Sequence, residues 1–308
     1  MNSIAIFAED SSLFACPYLA EALDCNLYTI LQQYNNFFQG GRMAIDYNKV
    51  SIKEENLITI GYVALKTIAE KIEKKHFKSV AAILSDSPGC RNYKWINDFV
   101  SRNNITVYCM PDLKSYCTGK TIPAYQTMNI DAGIINKPKK ILISHSPSNT
   151  EKAVLKGTPQ ILEIIKQLKK FYDFDFYIIQ ELTMKTCLSI KKQSHIFIDQ
   201  LIYKNPHVPQ KRWGGEIIYN GGLGKSGIEA MFLGCCVITG GTVPETEPYF
   251  PPPPIQWTDY NNLYRDLKEI LTYPVLIDHI AKEQRTWASK YLSYEFVAKH
   301  ITQHLCGI

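Results

Sequence analysis

The sequence predicts an α/β protein of two doubly wound, Rossmann-like domains, and three observations carry that prediction. Short apolar runs alternate with amphipathic helical stretches along most of the chain, the rhythm of parallel strands joined by right-handed crossover helices. The length, 308 residues, suffices for two domains that each bury a core. The polar segment INKPKK at 135–140 interrupts the rhythm, which then begins again. It separates a domain of residues 1–136 from one of residues 137–308, whose C-terminal helices could cross back to the first. Ligands of such sheets bind beyond the C-terminal ends of the strands, here expected in an interdomain cleft.

In the first half, SIAIFA at 3–8 reads as a strand, and the loop Glu9-Asp10-Ser11-Ser12 follows. A helix is expected from Leu13 to Leu23, where Leu13, Phe14, Tyr18, Leu19 and Leu23 keep helical spacing. Residues 31–56 are polar and aromatic with little periodicity, and LITI at 57–60 is a short strand. A helix from Val63 to Lys75 puts Leu65, Ile68, Ala69 and Ile72 on one face, with lysines closing its C-terminal end. SVAAIL at 79–84 is a strand, SDSPGCRN at 85–92 a loop, Trp95 to Val100 a helix, and ITVYCM at 105–110 a strand.

In the second half, KKILIS at 139–144 is a strand, and a helix from Thr158 to Lys170 turns Ile161, Ile164, Ile165 and Leu168 inward. FDFYIIQ at 174–180 is the next strand, Leu182 to Ile190 a short helix, and HIFIDQL at 195–201 a buried strand. An irregular insertion, YKNPHVPQKRWGGEIIYN, leads into GGLGKSGIEAMFLGCCVITGG at 221–241. That stretch reads as a glycine loop, a helix ending at Leu233, a stop at Gly234 and a buried strand, CCVIT. A polyproline segment at 251–254 precedes two or three helices between Tyr260 and His304.

Composition narrows the class. The apolar share, 45%, is that of a soluble globular protein. No apolar run approaches the roughly 20 residues of a membrane span, and MNSIAIFAEDSS turns acidic too early for a signal peptide, so a cytoplasmic location is expected. The net charge of +5 permits a polyanionic partner without requiring one. Nine cysteines without a CxxC pair read as reduced thiols, with neither a disulfide framework nor a metal site.

Several residues could carry chemistry. Gly221, Gly222 and Gly224 allow close backbone approach, and Lys225 and Ser226 stand where a helix begins. Helix N-terminal N–H groups and the dipole attract phosphate there, although an ordinary glycine-rich turn would read the same. Lys156-Gly157-Thr158 opens another helix, so Lys156 can add a cation, and Ser148 and Asn149 can add donors; a solvated lysine is the plainer reading. Asp86, at a strand end, suits a general base or an acceptor-hydroxyl ligand, and equally the first residue of a turn. CRNYKW at 90–95 and KRW at 211–213 mix cations with aromatics, which suits nucleic acid or stacked sugars. A solvated helix face with one buried Trp accounts for the first cluster, and a surface loop for the second.

The ordered motifs HSPSN, KGT, FDFYIIQEL, HIFIDQL and GLGKSGIEAMFLGCCVI resemble the nucleotide-sugar-binding domain of GT-B glycosyltransferases similar to glycosyltransferase family four. Members of that family show His-x-Pro-Ser, Lys-Gly-Thr, Asp-Gln-Leu and Gly-x-Glu-Ala-Met in this order. The resemblance covers residues 139–245, and reaches the first domain through LSDSPGCRN and MPDL at 110–113. It implies a GT-B fold and sugar transfer from a nucleotide diphosphate sugar, a co-substrate rather than a cofactor, with retention as the favoured outcome.

By the same resemblance Lys156 contacts the donor diphosphate, and Glu229 accepts hydrogen bonds from the donor ribose. Lys225, Ser226, Gly222 and Gly224 lie against the phosphates, beside Ser148, Asn149, Gly157 and Thr158. Gln180, Glu181 and Leu182 edge the base, Asp199 belongs to the Asp-Gln-Leu motif, and His145 lies in the cleft. Asp86 is the catalytic candidate of the first domain, with Ser11, Ser12, Arg91 and Trp95 toward the acceptor. Two positions depart from the family: Gly221 replaces a glutamate eight residues before Glu229, and Lys152 stands in for an arginine before the Lys-Gly pair. The acceptor expected is a glycan or a hydroxylated DNA base; a non-catalytic nucleotide or nucleotide-sugar binding protein is the alternative.

Overall fold

In the computed structural model, residues 4–10, 16–31, 44–48, 50–84, 93–109, 117, 120–123, 135–148, 150–207, 222–246 and 248–305 are described. The chain divides into one unit of Met1–Asn129 with Tyr291–Ile308 and a second of Ile130–Lys290.

The apolar runs of the first unit pair into a seven-stranded parallel sheet. Its strands are β1 (Ile4–Asp10), β2 (Asn26–Leu31), β3 (Ala44–Asp46), β4 (Asn56–Ile60), β5 (Ser79–Leu84), β6 (Thr106–Cys109) and β7 (Thr121–Pro123), in the order β3-β2-β1-β4-β5-β6-β7. Every residue of β4 is buried, as a central strand covered on both faces requires. Helix α1 (Cys16–Ala22) follows β1, and α2 (Tyr62–Glu73) follows β4. Helix α2 starts at Gly61, whose φ of 88° favours glycine, and buries Ala64, Leu65, Ile68 and Ile72 along one stripe. With α3 (Tyr93–Arg102) it closes a core containing Phe7, Leu57, Leu65, Ile68, Phe99 and Val107.

The second unit holds β8 (Leu142–Ser148), α4 (Thr150–Leu155), α5 (Thr158–Leu168), β9 (Asp175–Gln180), α6 (Met184–Gln193) and β10 (Ile196–Ile198). After these come α7 (Lys225–Phe232), β11 (Cys236–Gly240), β12 (Gln256–Thr258), α8 (Leu263–Thr272) and α9 (Val275–Tyr291). Its five strands are parallel, in the order β12-β11-β10-β8-β9. Ile143, Ile161, Ile165, Ile196, Ile198 and Leu267 are among its core residues. The last helix, α10 (Tyr294–Leu305), belongs to the first unit, where the Tyr108 hydroxyl donates to the Ile301 carbonyl at 3.1 Å and Tyr18 stacks on Tyr294.

The doubly wound architecture matches the expectation, and the differences lie in short elements. β3, β7 and β12 have three residues each, too few for a period of two to show. β1 runs on through Glu9 and Asp10, expected as loop, because its pairing with β2 continues to Asp10. Among the described residues no helix is long and apolar enough to cross a membrane. The seven cysteines among them form no disulfide, and burial pushes the Cys235 thiol up to about 11.

Candidate functional site at the switch point of the second sheet

From β8 the chain first adds β9 on one side and then β10 on the other, so the winding reverses between β8 and β10. Open α/β sheets bind ligands at such a reversal, beyond the strand C-termini. His145 pairs in register with Ile198 there, and the segments that leave both strands carry the predicted motifs.

Gly157 sets the geometry of the first segment. Its φ is 73°, and a Cβ would stand 2.5 Å from the Leu201 carbonyl oxygen and 2.9 Å from Asn205 Nδ2, so only glycine fits. The Leu201 N–H donates to the Lys156 carbonyl at 2.9 Å, which ties the Lys-Gly turn to the segment after β10. Lys156 Nζ donates to the Ser146 carbonyl at 3.2 Å and to Asp199 Oδ1 at 3.3 Å. An ammonium has three donors, so one remains for a ligand.

Asp199 joins this turn to the glycine loop. It has no exposed surface, and its Oδ2 accepts the Gly224 N–H at 2.6 Å. A Cβ on Gly224 would lie 3.0 Å from that oxygen; one on Gly227 would lie 3.0 Å from it and 2.7 Å from Leu223 Cδ1. Both glycines therefore make room for the Asp199 carboxylate. The Gly222 carbonyl accepts from Gln200 Nε2 and from the Thr239 hydroxyl, holding the loop above β11. Helix α7 starts next, with Lys225 exposed in its first turn, where a helix N-terminus leaves N–H groups without intrahelical partners.

Glu229 is on α7 with its side chain 6% exposed, and its partner is a residue that the sequence reading missed. Lys191, in the last turn of α6, is 1% exposed and donates to Glu229 Oε2 and to the Ser226 hydroxyl at 2.7 Å. Its ammonium also lies 5.1 Å from the centre of the Phe197 ring. In sequence Lys191 and Lys192 look alike, two lysines at a helix C-terminus. Only the fold separates them, by turning Lys191 under α7.

Three expectations need correction. His145, expected to face the cleft, is fully buried within the second unit, because β8 is an interior strand covered by α5. Its Nδ1 lies 2.7 Å from the Ile198 carbonyl, which can only accept, so the proton is on Nδ1 and Nε2 accepts the Thr158 hydroxyl at 2.8 Å. Burial pushes its pKa down to about 4, which keeps the ring neutral. The Thr158 hydroxyl is thereby occupied, and Asp199, fully buried, holds Lys156 and Gly224 rather than meeting a ligand. Trp95 is half-buried in the first core: it stacks on Phe99 at 4.8 Å, one helical turn on, and takes the edge of Tyr62 at 5.6 Å. Its ring is committed to packing α3 and is not a free acceptor platform.

Gln180, Glu181 and Leu182 lie at the end of β9, with Glu181 at a φ of 54° and Leu182 39% exposed. Of Ser148 only the backbone, in β8, is described. Ser11, Ser12, Asp86, Arg91, Asn149, Gly221 and the KRW cluster lie outside the described residues. Among the described residues no group of three His, Cys, Asp or Glu side chains could hold a metal ion.

A scan against protein-family models gives no match, and neither does a search of curated proteins. Solved structures do match. A structure of Anabaena Alr3699/HepE in complex with UDP-glucose aligns over 99% of this chain and 100% of its own, with a TM-score of 0.62 at 10% identity. An apo structure of OtsA aligns over 99% of both chains, with a TM-score of 0.63 at 7% identity. The match to TarM, at 13% identity and a TM-score of 0.49, covers 79% of this chain, which spans about half (53%) of TarM's length. The chain thus shares with the HepE and OtsA structures the GT-B fold, two parallel α/β sheets, aligned over 99% of its length.

Proposed function

We propose that the protein is a glycosyltransferase that moves a sugar from a nucleotide diphosphate sugar to an acceptor hydroxyl. The observation that carries this reading is the convergence, at the β8/β10 switch point, of Lys156, the glycine loop held by Asp199 and the start of α7. A sugar–phosphate bond breaks by releasing a diphosphate, and cations with oriented N–H groups stabilise the charge that grows on it. Lys156 and Lys225 supply the cations, and the Ser226 hydroxyl and first-turn N–H groups of α7 supply the donors, so no further cofactor is needed in this proposal. In this proposal Glu229, whose Oε2 takes the Lys191 ammonium, accepts from the ribose through Oε1. HepE, whose structure contains UDP-glucose, supports a nucleotide-sugar donor. Retention of configuration, a hexosyl or pentosyl group, and a glycan or hydroxylated DNA base as acceptor complete the proposal, with the enzyme acting in the cytoplasm.

The test is release of free nucleotide from a panel of nucleotide sugars, without acceptor and then with oligosaccharides or hydroxymethylated duplex DNA. Slow release that an acceptor accelerates, with a product anomer matching the donor, is expected. Tight donor binding without turnover under any of these conditions would identify a nucleotide-sugar binding protein and sink the proposal.

A further inference from the structure

The second unit contains a cavity of about 990 Å³ that the switch-point site does not use. It lies at the opposite edge of the sheet. Its walls include Lys137 ahead of β8, His195 ahead of β10, Leu233 and Gly234 ahead of β11, and one face of α9. Five cationic side chains line it, Lys137, Lys192, Lys282, Arg285 and Lys290, against the single carboxylate of Asp278.

Helix ends account for part of this charge. Lys137 Nζ donates to the carbonyls of Ser194, at 2.6 Å, and Gly234, where α6 and α7 end. Lys192 and Lys290 stand in the last turns of α6 and α9, where a cation offsets the dipole. Lys282 and Arg285 are in the middle of α9, and the dipole gives no reason for them. With Ser289 they fall on one face of that helix, at spacings of three and four. Lys192 and Lys282 make no ion pair with an acidic side chain among the described residues. Like charges gathered around one concavity repel one another, and a bound anion relieves that repulsion. Apolar walls from Leu233 and Ala281, with polar groups converging between them, are the usual make-up of a small-ligand pocket.

We propose that this cavity is a second anion site, for a compact metabolite carrying two or more phosphate groups. It stands independently of the donor reading, because no residue is shared between the two edges. Sodium tripolyphosphate is the probe, titrated into the ¹⁵N-labelled full chain at about 50 mM salt, where surface screening is weak. Saturable amide shifts at His195, Leu233 and Gly234 are expected. In a Lys192→Gln/Lys282→Gln double variant with an unchanged thermal midpoint, the affinity at this edge should fall roughly tenfold or more, two charge-assisted contacts being lost. Shifts confined to Gly222, Gly224 and Lys225 would overturn the proposal. So would shifts at His195 and Gly234 that persist unaltered in the variant, or saturation by duplex DNA with none by tripolyphosphate.

Discussion

Replacing Lys191 by methionine keeps the length of the side chain and removes its charge beneath α7. The magnitude follows from burial: the two side chains of the Lys191–Glu229 pair are 2% and 6% exposed. Breaking such a pair from one side strands a charge in the interior and costs about 3–5 kcal/mol, whereas removing both charges at similar volume is close to neutral. Lys191→Met and Glu229→Gln should therefore each destabilise the second unit, the former by about 3 kcal/mol or more, and the double variant should recover most of that loss. The assay is a double-mutant cycle of thermal unfolding, in which a loss of 3 kcal/mol lowers the midpoint by roughly 6–12 °C for a unit of this size. Two single-variant losses that simply add in the double variant would refute the pair. The cycle also separates structure from binding, since the stable double variant should still bind a nucleotide sugar more weakly than the wild type.

Glu229→Ala should weaken donor binding by about 1–3 kcal/mol, because ribose hydroxyls lose their acceptor; an unchanged donor affinity by calorimetry counts against the assigned role. Gly157→Ala should cost about 2 kcal/mol or more, from the positive φ and the clash with the Leu201 carbonyl, and should shift Lys156; a neutral effect on thermal unfolding would contradict that geometry. His145 ties stability to pH. Its pKa falls from 6.5 in the unfolded chain to about 4 in the fold, so between those values the unfolded state binds the extra proton. Stability is fully present above pH 6.5 and is lost as pH falls toward 4, by about 3 kcal/mol in all. His145→Asn, which keeps a donor toward Ile198, should flatten that part of the profile relative to the wild type.

The architecture was legible because long elements announce themselves. The stripe Leu65, Ile68, Ile72 on α2 and the unbroken apolar β5 and β11 leave little choice of type or partner. The Lys156-Gly157 turn was legible for a different reason, since a glycine at an element boundary states the backbone geometry there, whereas Gly224, at an ordinary φ of −76°, is needed because of the Asp199 carboxylate beside it. What remained hidden depends on contacts distant in sequence. Nothing near Lys191 says that its side chain will meet Glu229, 38 residues on, rather than water. His145 looked like a ligand contact because a histidine in a strand-end motif reads as chemistry, yet the Ile198 carbonyl and the Thr158 hydroxyl occupy both ring nitrogens. Trp95 read two ways in sequence, as a stacking platform beside Arg91 and Lys94 or as the one buried Trp of a solvated helix face, and Phe99 one turn on takes it into the core.

The two carboxylates at the switch point explain why both lysines matter. Asp199 and Glu229 flank the first turn of α7, and each unpaired would repel an incoming diphosphate by about 4 kcal/mol at 4 Å, with an effective dielectric constant near 20. The fold does not omit them. Asp199 positions the loop by accepting the Gly224 N–H, and Glu229 takes the Lys191 ammonium on Oε2. Lys156, from the turn after α4, and Lys191, from α6, neutralise them instead. In the proposed donor complex a diphosphate then meets Lys225, the α7 N–H groups and the remaining donor of Lys156, all of which attract it. Glycine at 224 and 227 is part of the same arrangement, since a Cβ at either position would press on the Asp199 carboxylate and loosen its hold on Lys156. The glycine loop therefore serves the neutralisation of Asp199 as much as access to phosphate, and substitutions at Gly224 or Gly227 should weaken donor binding through Lys156 even where the ligand has room.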